Sequence, residues 1–394
     1  GDEDWQAACR RVASHVAAAE VNGSRTKWEE RFFNAMAHNQ FIPGGRIWYG
    51  AGRPKGQLLN CFVVPTEDSR EGWGKTVSDM LIISGTGGGV GMNFSPIRPR
   101  GTSIKGTGGE ATGAVSLMEV INQTGEVIKS GGGRRTALML CLDYKHGDIM
   151  EFLHKKLNRV TLSDEAELEE AIGSAFPYLP KDEKDALLSS AQIILSEAPE
   201  GSDLSDATVL TTILRPLLKH EKDQVLKNAN ISVLVDNEFF EAVENEDDII
   251  VMWRGNEVTS FPAKELWDLL ITNAWESGEP GILNIGLANE MNNIYYHKSL
   301  ISTNPCGEIW LEAYGFSELA SINLANHIAF DESGEPDFDW GKLADTVRTG
   351  VRFLDNVLDV NTYPLLEIEK NCKEVRRIGL GVMGLGHALV KLGL

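Results

Sequence analysis

The stretch with most chemical potential is Asn304-Pro305-Cys306-Gly307-Glu308. A thiol stands two residues from an amide and two from a carboxylate. In an extended segment, side chains at i and i+2 share a face. Asn304, Cys306 and Glu308 would then present a sulfur flanked by a hydrogen-bonding amide and a proton acceptor. That is a workable reaction centre for a substrate carrying hydroxyl groups. The competing reading is a buried cysteine in a turn, because free cysteine is among the most buried residue types. Spacing alone favours the buried cysteine, and the surrounding sequence reverses the preference.

Two glycine-rich regions precede this stretch. Residues 84–113 hold Gly87-Gly88-Gly89-Val90-Gly91, then Arg98 to Lys105, then a second glycine cluster. No GxGxxG opens a helix there and no acidic residue follows at the spacing of a dinucleotide fold, so a dehydrogenase reading is weak. The glycines fit a backbone that approaches a ligand closely. The run Lys129-Ser-Gly-Gly-Gly-Arg134-Arg135 lacks the GK[ST] ending of a phosphate loop. Two arginines after flexible glycines can still wrap phosphate, or form a solvated basic loop.

Composition narrows the options. With 37 basic and 57 acidic residues the formal charge is −20, which argues against a surface that grips a DNA or RNA polymer. The five cysteines are scattered and include no CxxC pair, so neither a disulfide framework nor a zinc site is expected, and a reducing cytoplasm is the default. Apolar runs are too short to cross a bilayer.

The elements that must position the chemistry alternate. Helical spacing covers 5–20 and 27–38, and 41–56 reads as glycine and proline loop. A β-leaning run at 58–64 contains Cys61. Helices are expected at 114–128 and 147–155, and a strand at 137–142. Residues 157–225 turn to amphipathic, charged text that reads as a helical insertion. Strands then recur near 228–235 and 321–325, with helices at 236–243, 264–275, 338–360 and 365–375. The alternation predicts an α/β fold. Four segments follow: 1–40 helical, 41–156 α/β, 157–225 the insertion, and 226–394 α/β again.

In this order the segments Leu59-Asn-Cys-Phe-Val, Gly87-Gly-Gly-Val-Gly-Met-Asn-Phe, Ile97-Arg-Pro-Arg-Gly, Gly109-Glu-Ala-Thr-Gly, Gly132-Gly-Arg-Arg, Asn228-Ala-Asn-Ile-Ser-Val, Asn304-Pro-Cys-Gly-Glu and Arg376-Arg-Ile-Gly-Leu-Gly-Val-Met-Gly-Leu resemble the large catalytic chain of ribonucleotide reductases. The resemblance is greatest to the adenosylcobalamin-dependent class II enzymes. It implies a ten-stranded α/β barrel of two half-barrels, incomplete here, with a central finger loop, 41–156 being the first half-barrel with effector loops and 226–394 the barrel continuation. Cys306 would sit at the loop tip as a thiyl radical that takes hydrogen from C3′. Glu308 would accept the 3′-hydroxyl proton, and Asn304 would bind the sugar hydroxyls. Cys61 would be one of two cysteines that reduce the 2′-position. Gly45, Asn60 and Gly89 match positions lining the substrate. Asp68, Ser69, Arg98 and Lys105 match a deoxynucleoside triphosphate effector site, with Arg134 and Arg135 on the loop linking effector to substrate choice.

The implied partners are a ribonucleoside di- or triphosphate, a thioredoxin-like or small-thiol reductant, and a second copy in a homodimer. The cofactor is adenosylcobalamin, with no metal ligands from the chain itself. A class I large subunit, fed by a separate radical-generating subunit, shares many of these residues. One departure matters. Counting back from Ser321-Ile-Asn-Leu, the second redox cysteine is replaced by Ser317. Another reductant route, a substitute thiol at Cys141 or Cys372, or a non-catalytic nucleotide-binding remnant would each accommodate it. The C-terminal half-barrel of the family is expected beyond Leu394, in a longer chain or a separate one.

Overall fold

The computed structural model describes residues 3–21, 23–104, 106, 108–130, 134–155, 180–181, 184–185, 189 and 226–394. The insertion expected over 157–225 lies almost wholly outside these residues.

The centre of the fold is a six-stranded sheet. In spatial order its strands are Gly281–Asn284, Asn230–Val235, Leu138–Asp143, Gly89–Asn93, Cys61–Val63 and Phe316–Ser317. The first five run parallel, in sequence order across the sheet, and Phe316–Ser317 closes the edge antiparallel. Parallel neighbours need crossovers, and helices Arg70–Gly85, Ala114–Val127 and Ala263–Ser277 lie between successive strands.

Strand alternation sorts the two faces. Phe62, Val90, Met92, Leu138, Leu140, Leu142, Ile231, Val233 and Val235 join the main core beneath the helices. The opposite face carries Cys61, Gly89, Gly91, Met139, Cys141 and Asn230. Met139, Cys141 and Leu234 form a smaller cluster there with Leu283, Ile285 and Trp310. This second face receives the Cys306 loop.

A three-stranded sheet begins one residue after the six-stranded sheet ends. Leu319–Asn323 is its centre, antiparallel to Phe41–Pro43 and parallel to Gly379–Met383. The helices Trp5–Val16 and Arg25–Ala37 cover it together with Trp340–Val360. They share one core through Val12, Phe32, Phe41, Ile322 and Phe353. The structure is thus a curled half-barrel joined to three strands of a second sheet, and the described residues do not close a ten-stranded ring.

Several elements differ from the sequence reading. The 41–56 stretch is not all loop: it holds the strand Phe41–Pro43 and the helix Gly45–Gly50. The first helix ends at Val16 and tightens into a 3-10 turn over Ala17–Ala19. Arg70–Gly85 is a 16-residue helix that glycines at 72, 74 and 85 concealed. Ser69 caps it by accepting from the Gly72 N–H at 2.9 Å. The glycine-rich 89–93 is a strand.

Candidate functional site

The Cys306 loop is a hairpin. Ser302–Thr303 pairs antiparallel with Trp310–Leu311, and the turn lies between them. The segment is not extended, as the sequence spacing assumed. The Gly307 N–H donates to the Asn304 carbonyl at 3.1 Å, and Gly307 takes φ +81°. Asn304 ties the turn shut, its Oδ1 accepting from the Ile309 N–H at 3.2 Å. A tight turn, rather than a shared strand face, brings Asn304, Cys306 and Glu308 into one neighbourhood.

The loop lies flat on the sheet because two glycines admit it. A Cβ built on Gly91 would fall 1.8 Å from the Thr303 carbonyl oxygen. One on Gly89 would fall 2.8 Å from Pro305 Cγ and 3.4 Å from Cys61 Sγ. Glycine inside a strand commonly marks such an approach of another backbone. Two asparagines then pin the loop. Asn230 Nδ2 donates to the Pro305 carbonyl at 2.8 Å, and Asn93 Nδ2 to the Ile301 carbonyl at 3.0 Å. Both were read only as parts of motifs, and neither was identified as a positioning residue.

Below the turn sits Cys61. Burial pushes its thiol up to about 11; the Asn304 amide acts against this, and the negative charges of Cys306 and Glu308 add to it. Four of the sequence-predicted residues therefore share one electrostatic neighbourhood. Cys306 is exposed. Partial burial of its sulfur, with the Glu308 charge, raises its thiol above the ordinary value. Asn304 is fully buried, and its Nδ2 lies near Cys61 without a hydrogen bond of full geometry. A buried amide donor without a good acceptor is unusual and calls for a reason.

Ser317 is the register partner of Cys61 across the antiparallel edge. Its hydroxyl is near enough to lower the thiol, yet it too makes no hydrogen bond of good geometry. The two alternative thiols are elsewhere. Cys141 lies two strands away and four residues further along, since Cys61 aligns with Gly89 and Asn93 with Cys141. That is about 13 Å along the strands and about 10 Å across them, far beyond disulfide reach. Cys372 is on the helix-covered side, buried beside Leu358 and Ile368, with its sulfur accepting from the Tyr363 hydroxyl at 2.8 Å. Burial pushes both thiols up to about 12. Neither serves as a substitute partner for Cys61 in this arrangement.

The other predicted substrate positions cluster nearby. Asn60 precedes the Cys61 strand; its N–H donates to the Ser317 carbonyl and its carbonyl accepts from Gly89. A Cβ on Gly44 would meet the Asn60 amide at 3.1 Å, while Gly45, first in its helix, faces open space.

The predicted effector residues form a second centre. Asp68 accepts from Arg98 Nε at 2.8 and 3.0 Å and from the Arg98 N–H at 3.2 Å. Ser69 caps the adjoining helix. Lys105 lies outside the described residues. Of Arg134 and Arg135 only the backbone is described, in a two-stranded pairing with Lys129–Ser130. Sequence reasoning missed Arg254, whose Nη2 reaches Asp68 Oδ2 at 3.2 Å. Among the described residues no group of three or more metal-ligating side chains occurs, and no helix is long and apolar enough to cross a membrane.

The family model described as "Ribonucleotide reductase, barrel domain" matches residues 59–394, and "Ribonucleotide reductase, all-alpha domain" matches 1–56. A vitamin B12-dependent ribonucleoside-diphosphate reductase of Thermoplasma acidophilum is 33% identical over 364 residues, covering 92% of this chain and 39% of that protein. One of Mycobacterium tuberculosis is 31% identical over 389 residues, covering 98% and 46%. The ribonucleoside-diphosphate reductase subunit alpha of Chlamydia trachomatis is 28% identical, covering 98% and 33%. The chain spans less than half the length of each of these relatives.

Proposed function

The chain belongs to the ribonucleotide reductase family, and from that premise we propose that it supplies the reaction centre of an adenosylcobalamin-dependent reductase making deoxyribonucleotides for DNA synthesis. The observation that carries this reading is the Cys306 turn seated over Cys61 by Gly89 and Gly91, with Asn304 and Glu308 in the same neighbourhood. In this reading a thiyl at Cys306 takes the C3′ hydrogen. Glu308, exposed beside it, holds the 3′-hydroxyl proton as general base. Asn304 Nδ2 donates to a sugar hydroxyl. The substrate is a ribonucleoside di- or triphosphate, and Asp68, Ser69 and Arg98 belong to a deoxynucleotide effector site.

The relatives from Thermoplasma and Mycobacterium are named as vitamin B12-dependent, which supports the cofactor. The site fits it: Cys306 is exposed, and a cofactor that carries its own metal ligands asks of the chain chiefly a path to that sulfur. When bound, it supplies the one-electron oxidation at Cys306.

A second reading is favoured by Ser317 opposite Cys61. Serine cannot complete a disulfide, so the electrons come from an external thiol, or the chain binds nucleotides without turnover. Calorimetry with deoxynucleoside triphosphates and a product assay with adenosylcobalamin, on one full-length sample, separate the readings. Catalysis predicts both binding and a deoxyribonucleotide product that Cys306→Ala abolishes. Binding without product in the wild type supports the remnant, and product from Cys306→Ala removes the Cys306 assignment.

A further inference from the structure

Asp68 is held by two arginines from different parts of the chain. Arg98 gives it only Nε and its backbone N–H. Arg254 gives it only Nη2. The terminal nitrogens of Arg98 and the remaining donors of Arg254 have no hydrogen-bond partner among the described residues. Arg98 is one-quarter exposed at its side chain and Arg254 two-thirds exposed, at 25% and 67%. Two guanidinium forks with unspent donors, converging on one point, form an arrangement suited to binding a multiply charged oxyanion.

The hairpin that delivers Arg254 is built to hold it there. Asp248–Trp253 and Asn256–Pro262 are joined by Arg254-Gly255, with φ of +49° and +82°. Such left-handed pairs make the tight turns that suit the twist of a hairpin. Its stem leans on the effector segment. A Cβ built on Gly147 would lie 3.3 Å from Val258 Cγ1 and 2.8 Å from Pro99 Cβ, so hairpin, Gly147 and the residue after Arg98 are in direct contact.

We propose that the hairpin Asp248–Pro262 forms a wall of the deoxynucleotide effector site and that Arg254 at its tip binds the effector's phosphates. This rests on the effector reading of Asp68, Ser69 and Arg98 given above. In the arrangement seen here Asp68 holds Arg254 through its Nη2. A nucleoside triphosphate, with more negative charge than one carboxylate, draws Arg254 off Asp68 and leaves Arg98 to hold that carboxylate. The hairpin thereby moves with the phosphates, and its turn becomes a reporter of effector occupancy.

Equilibrium dialysis with a labelled deoxynucleoside triphosphate tests this on the wild-type chain, Arg254→Ala and Arg254→Lys, with urea midpoints confirming equal stability. Loss of one charged phosphate contact predicts binding weakened roughly tenfold in Arg254→Ala, about 1.4 kcal/mol. Arg254→Lys should fall between. Inorganic tripolyphosphate should compete less well against the alanine variant than against the wild type, by the same factor. Wild-type affinity in Arg254→Ala would overturn the proposal and leave the effector site standing. Absence of binding by the wild-type chain would overturn the effector reading and this proposal with it.

Discussion

Replacing Ser317 by cysteine should place two thiols in disulfide register. Ser317 and Cys61 are aligned across an antiparallel edge, where facing Cα atoms lie about 4.5–5.5 Å apart. That falls within the range a disulfide spans. The bond would close a loop of roughly 256 residues, and loop-closure entropy puts its stabilisation at about 5.5 kcal/mol before any strain. The Cys61 thiol, held up at about 11, slows the reaction, because the thiolate is the nucleophile. Oxidation is therefore run at pH 9. The background carries Cys306→Ser, since Cys306 also influences the Cys61 thiol. Intact-mass spectrometry should show loss of about 2 Da, peptide mapping should join residues 61 and 317, and the urea midpoint should rise and then fall back with dithiothreitol. The parent with Ser317 should show none of this. Failure to form the bond, with both thiols still alkylatable after unfolding, would mean that the two side chains do not face the same space and that the site as drawn is wrong.

Other outcomes follow from the same geometry. Gly91→Ala sets a methyl against the Thr303 carbonyl; overpacking of this kind costs about 1–3 kcal/mol, and a thermal scan should show that loss together with faster alkylation of Cys61. Asn230→Ala removes the bond to the Pro305 carbonyl, costing about 1 kcal/mol, and in a full-length enzyme product formation should fall more than stability does. Glu318→Gln probes a carboxyl that is 1% exposed, has no hydrogen-bond partner on either oxygen, and is pushed well above the usual range by burial and by Asp355. A raised carboxyl contributes stability fully present below its unfolded pKa of about 4.3 and lost as pH rises toward its folded value. The glutamine variant should therefore gain on the wild type by up to about 1.4 kcal/mol per pH unit above pH 5. Urea midpoints at pH 5, 6, 7 and 8 measure this, and a constant difference would contradict it.

Much of the candidate site was legible because its motifs occur in the order of a known family. Asn304, Cys306 and Glu308 stood out by spacing and Cys61 only through the family resemblance, and the structure brings the four together. The route differed: a turn closed by Asn304, not an extended strand, does the positioning. Glycine caused the other misreadings. In Arg70–Gly85 glycines lower helix propensity by about 1 kcal/mol each, but Met80 and Ile83 bury against the core and the Ser69 cap adds to that. At Gly89 and Gly91 the same residue marks a strand that another backbone crosses. The hairpin bearing Arg254 had a readable signal: Ile249 and Val251 are buried and alternate with exposed Asp248, Ile250 and Met252, ahead of a glycine turn. Its link to Asp68, 186 positions away, was not readable, because tertiary packing alone creates it.

The central claim is that the sulfur at 306 acts on the sugar. Full-length reductase containing this chain, given adenosylcobalamin and a ribonucleotide deuterated at C3′, should form deoxyribonucleotide more slowly than with the protiated substrate, and Cys306→Ala should form none. Equal rates for the two substrates together with undiminished product from Cys306→Ala would contradict the account.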